Sequence, residues 1–111
     1  MTTCKMVRDG KRYRVDITGH AGFNPGNDPV CAAISALAFT LMQRISDLEA
    51  EGAFHTYESD YQSGKVYVEA VAAWYGKPEI ESVFKTIITG FELIQAQYPD
   101  NLHLEILGWE K

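Results

Sequence analysis

Two side chains in the 111-residue sequence are suited to covalent chemistry and stand eleven residues apart, His20 and Cys31. Between them runs a loop rich in Gly, Asn and Pro, Ala21-Gly22-Phe23-Asn24-Pro25-Gly26-Asn27. Asp28 is a preferred helix N-cap type, and Pro29 suits the first helical position, which makes Cys31 the third helical residue. A thiol there faces the positive end of the helix dipole, which favours thiolate, the nucleophilic form. An imidazole beside it would serve as base and acid, so the pair suits acyl transfer. Ser35 lies four residues on and shares the helix face of Cys31, from which its hydroxyl can donate to sulfur or substrate. Backbone N–H groups at the helix start, those of Val30 or Cys31, or of the loop are the expected oxyanion donors, since Pro29 has none to give. Asp28 pulls the other way, because a carboxylate disfavours a second negative charge nearby. The expected resolution is a protonated His20 beside the thiolate, with Asp28 engaged by backbone or by the imidazole. Each residue also has a plainer reading: Cys31 a structural thiol, His20 a loop histidine, Asp28 only a cap, Ser35 a tolerated helix residue.

The elements that must position these groups can be read on either side. Residues 2–8 and 12–18 flank Asp9-Gly10, a hairpin signal, and Tyr13, Val15 and Ile17 alternate with polar residues as in a half-buried strand. Cys4 in the first arm reads as a small buried hydrophobe. A helix is expected from Pro29 to about Glu51, with Val30, Ile34, Leu37, Leu41, Ile45 and Leu48 as its apolar stripe. Phe54–Ser59 and Lys65–Ala72 read as strands around a Ser63-Gly64 turn. A second helix starts near Glu79 and runs to about Tyr98, striped by Ile80, Val83, Phe84, Ile87, Ile88, Phe91 and Ile94. Gly90 in its middle points to close packing against the other helix or a second subunit. Leu102, Leu104 and Ile106 mark a last strand. The order ββαββαβ predicts an α+β fold, a mainly antiparallel sheet covered by two helices, with residues 1–111 as one domain.

The pattern Gly19-His20-Ala21, Gly26-Asn27-Asp28 and Val30-Cys31-Ala32-Ala33 with Ser35 resembles the bacterial ribosomal-processing cysteine proteases, the Prp family. The resemblance implies His20 and Cys31 as a catalytic dyad, with Asp28 and Ser35 in support. It further implies removal of an N-terminal extension from a large-subunit ribosomal protein, with cleavage after an aromatic residue, and a homodimer. Phe23 is then the expected wall of an aromatic pocket, with Gly22 and the small Ala32 beside the substrate. The loop is about one residue shorter than is usual in the family, and Pro29 stands where an aliphatic residue is common. The alternative reading is a non-catalytic module of the same fold that binds a basic ribosomal protein tail; a redox-sensing thiol is a third.

Composition bounds the rest. A net charge of −5 argues against direct nucleic-acid binding and suits a basic partner. No apolar run approaches the ~20 residues of a membrane span, and the start lacks the apolar core of a signal peptide, so no membrane association is expected. Two cysteines do not make a disulfide framework, which fits a reducing cytoplasm. His55 and His103 read as surface residues. No His or Cys spacing suits zinc and no glycine spacing suits a phosphate or dinucleotide, so neither metal nor cofactor is expected.

Overall fold

Apolar side chains on alternate residues of the first two strands set the layer on which everything else rests. The computed structural model describes residues 1–109. Strands β1 (Thr2–Asp9) and β2 (Arg12–Gly19) pair antiparallel, so that Cys4 lies opposite Ile17 and Met6 opposite Val15. Strand β4 (Lys65–Ala72) continues the rows, with Val66 against Ile17, Val68 against Val15 and Ala70 against Tyr13. All of these are buried. The hairpin tip is Gly10-Lys11, one residue later than the Asp9-Gly10 signal suggested, because Asp9 and Arg12 pair as the last rung. Strand β3 (Phe54–Gln62) pairs with β4, and β5 (Leu102–Leu107) runs parallel to β1. The sheet order is β3-β4-β2-β1-β5, mostly antiparallel, as the element order predicted.

Helix α1 (Pro29–Ala50) and helix α2 (Lys77–Gln97) carry the second layer. Val30, Ile34, Ala38, Leu41, Ile45 and Leu48 of α1, with Ile80, Phe84, Ile87, Ile88 and Phe91 of α2, join the strand residues in one core. Leu37, read from its spacing as part of that stripe, is half-buried and packs against the core on the side of α2. A Cβ on Gly90 would stand 2.8 Å from its Cδ1, so the mid-helix glycine marks the contact between the two helices. Helix α2 begins two residues before Glu79 because Pro78 needs no N–H in a first turn. Helix α1 is long and apolar enough by length and composition to cross a membrane, contrary to the sequence expectation. Its first charged residue is Arg44, and its apolar stripe is accounted for by the core it joins.

Candidate active site

His20 follows Gly19 at the end of β2, and two glycines make its place. Gly19 has φ +92°, and a Cβ there would stand 2.6 Å from the carbonyl oxygen of Met1. Its N–H donates to the carbonyl of Gly64, 2.9 Å away, tying the end of β2 to the β3–β4 turn. Gly64, at φ +76°, lies under the imidazole: His20 Nε2 is 3.0 Å from where a Cβ would be. A hairpin turn far along the chain therefore forms the floor of the histidine.

Cys31 is placed by Asp28. One carboxylate oxygen accepts the N–H groups of Val30 (2.9 Å) and Cys31 (3.0 Å), capping the helix. The other accepts those of Phe23 (2.8 Å) and Asn24 (3.1 Å), folding the loop back on the cap. Desolvation raises the pKa of this carboxyl, but the N–H groups of Cys31, Asn24, Phe23 and Val30 together lower it by more, and it is held below the ordinary value of 3.8. Of the two partners expected for Asp28, the backbone has it. This also changes the expected oxyanion donors. The N–H groups of Val30 and Cys31 are engaged by the cap, and that of Ala32 donates to the Asp28 carbonyl at 3.0 Å. Outside the loop, Asn101 Nδ2 donates to the Ala21 carbonyl at 3.0 Å, and the Phe23 ring lies edge-on to Tyr98 with centroids 5.2 Å apart.

His20 and Cys31 line one cleft of about 160 Å³, together with Ser35. Among the described residues no hydrogen bond joins the imidazole to the thiol. The other walls come from Phe39 on α1 and from Tyr61, Gln62 and Gly64 at the β3–β4 turn. Phe23, Gly22 and Ala32, expected beside the substrate, do not line it: the Phe23 ring is held against Tyr98, and Ala32 is exposed on the next helical position. Phe39 was legible, since residues 31, 35 and 39 follow the i, i+4 rule that singled out Ser35. Tyr61 and Gln62 were not, because their approach depends on the order of the strands in the sheet.

The family model for the cysteine protease Prp matches residues 1–103. The chain belongs to the Prp family of cysteine proteases. Its fold is that of the Staphylococcus aureus ribosomal-processing protease Prp bound to a covalently linked product peptide, with TM-score 0.71 at 21% identity over 96% of this chain and 99% of that one. The same S. aureus protease with a substrate peptide gives a TM-score of 0.70 at 20% identity over 96% and 99%. The Streptococcus mutans protein SMU.848 gives 0.66 at 23% over 96% and 94%. No curated protein matches the chain.

In this Prp-family protease the two cysteines differ sharply in environment. Both are free thiols. Cys4 is fully buried in the sheet, and burial, with Asp16 nearby, pushes its pKa up to about 12. Cys31 is half-buried and opens into the cleft.

Proposed function

We propose that Cys31 and His20 carry out peptide cleavage by acyl transfer, and that the substrate is the N-terminal extension of a large-subunit ribosomal protein. The observation that carries this reading is the shared cleft: the family requires a reactive thiol, and of the two present Cys31 lines the cleft, with an imidazole in its wall, while Cys4 is fully buried. The Cys31 sulfur attacks the scissile carbonyl carbon while its proton resides on His20. His20 returns that proton to the leaving amine as the C–N bond breaks, leaving a thioester. Water then attacks the thioester carbonyl, giving its proton to His20, and the acid product leaves as the thiol is regenerated. With the helix-start N–H groups engaged by Asp28, the Ser35 hydroxyl is the donor assigned to the tetrahedral oxyanion; it lines the cleft one turn from Cys31. Asp28 supports Cys31 through the backbone it holds at the helix start and in the loop.

A net charge of −5 suits a basic ribosomal protein segment, two unpaired thiols suit a reducing cytoplasm, and exposed apolar side chains such as Leu93 suit a homodimer.

Incubation with the precursor ribosomal protein of the same organism, read by mass spectrometry of its N-terminus, tests the reading. The expected result is a single new N-terminus, with the rate reduced at least ~10³-fold in both Cys31→Ala and His20→Ala. Cleavage that survives Cys31→Ala refutes the assignment of the nucleophile. Iodoacetamide labelling provides the second readout. It should modify Cys31 faster in the wild type than in His20→Ala.

A further inference from the structure

The cleft does not end near the thiol. Phe39 and Tyr61 form its far wall, and the same two rings also border a second, open groove of about 420 Å³. This groove continues between α1 and β3 past Met42 and Tyr57. The two rings are tilted against each other with centroids 5.0 Å apart, yet they remain 47% and 52% exposed. Both belong to elements that are otherwise well placed to hold them: α1 is fixed by the core, and β3 is anchored along its length to β4. A rigid pair of aromatic rings left in water where one cavity passes into another is an apolar surface for a ligand that occupies both.

The geometry along α1 sets where that ligand would be touched. Cys31, Ser35, Phe39 and Met42 follow one helix face. At 1.5 Å per residue, Phe39 lies about 12 Å and Met42 about 16 Å along the axis from Cys31. An extended peptide advances about 3.3 Å per residue. A peptide whose scissile carbonyl sits at Cys31 therefore reaches the ring pair roughly three to four residues away, and Met42 and Tyr57 about one residue later. Met42 adapts its shape readily, which suits a class of side chains rather than one.

We infer that Phe39 and Tyr61 are specificity-determining residues, holding an apolar side chain of the substrate peptide roughly three to four residues from the bond that is cut. The inference rests on Cys31 being the nucleophile. Continuity with the cleft of Cys31 and His20 is what assigns the groove to substrate instead of to a second copy of the chain.

The test uses a proteome-derived peptide mixture as probe, with cleavage products of the wild type, Phe39→Ala and Tyr61→Ala aligned at the cut by mass spectrometry. Half-exposed rings can be removed without opening the core, and far-UV circular dichroism confirms that each variant is folded. The wild type should select Leu, Ile, Met or Phe three to four residues from the cut on one side. Both variants should lose that selection while keeping the preference immediately beside the cut. For a single peptide with Leu at that position, kcat/KM should fall roughly ten-fold, mainly through KM. For its Ala counterpart the same variants should lose clearly less, because the side chain that meets the rings is gone. No selection at that distance, selection that persists in both variants, or variants that change only self-association in sedimentation would each overturn the assignment. Failure of the wild type to cut any peptide, with Cys31 unreactive toward iodoacetamide, would remove the catalytic reading and this one with it. Cutting with a flat profile removes this one alone.

Discussion

Asp28 has given both carboxylate oxygens to backbone N–H groups on either side of itself, Phe23 and Asn24 before it and Val30 and Cys31 after it, so its removal should be felt in stability as well as in the site. Asp28→Ala loses the cap and the tether of the loop together, and its urea midpoint should drop further than that of Asp28→Asn, which keeps one accepting oxygen. The sign of the pH effect follows from the depressed pKa. The carboxylate's contribution is present above the ordinary value of 3.8 and is lost as pH falls through the lower folded-state pKa. The wild type should therefore lose more stability than Asp28→Asn between about pH 5 and pH 2, measured by urea denaturation at each pH. A second prediction concerns Gly64. Gly64→Ala meets His20 Nε2 at 3.0 Å and is also strained at φ +76°. Gly10→Ala is strained similarly at φ +62° but meets nothing within 4 Å. Both should lower the melting temperature, while only Gly64→Ala should also displace the imidazole and slow peptide cleavage. An unchanged cleavage rate would reduce Gly64 to a turn residue. Cys4 gives a third expectation: with its thiol buried and its pKa near 12, one thiol should label in the native protein and a second only after denaturation.

Between elements, the contact that decides the helix layer is Leu37 against Gly90. Gly90→Ala gains about 1 kcal/mol of helix propensity but must push aside the flexible end of Leu37, so the single substitution should be nearly neutral. In a Leu37→Ala background the same change should stabilise by about 1 kcal/mol, and equal effects in the two backgrounds would mean that the contact carries no energy. The same pair shows what spacing can and cannot reveal. Periodicity placed Leu37 in the apolar stripe, and only the position of α2 shows that it meets Gly90 of the second helix. Strand β4 was legible from end to end because its alternation is buried on one face, Val66, Val68, Ala70 and Ala72. Strand β3 runs three residues past Ser59 because an edge strand exposed along most of its length has no alternation to read. The cap at Asp28 was legible for the same local reason as the helix start. What it displaced, the helix-start oxyanion donors, was not, because sequence does not say which acceptor wins a shared N–H.

At the scale of the whole molecule, the net charge of −5 predicts how a basic substrate is gathered. Raising the ionic strength should increase KM for a lysine-containing peptide and leave kcat unchanged, and a KM indifferent to salt would mean that charge plays no part in recognition. The parallel β1–β5 pairing was beyond what element order alone could supply, since ββαββαβ leaves open which strand takes the last place. It has a consequence in time. The Thr2 N–H donates to the Asn101 carbonyl, and the Asn101 side chain holds Ala21, eighty residues earlier in the chain. Thr2 and His20 both line the cleft. A ribosome adding 5–20 residues per second needs about 4 to 16 seconds to pass from the histidine to the asparagine that fastens its neighbour. For that interval the nascent chain already carries its thiol and its imidazole but lacks the Asn101 contacts that hold Thr2 and Ala21, so the surroundings of the cleft are complete only once Asn101 has been added.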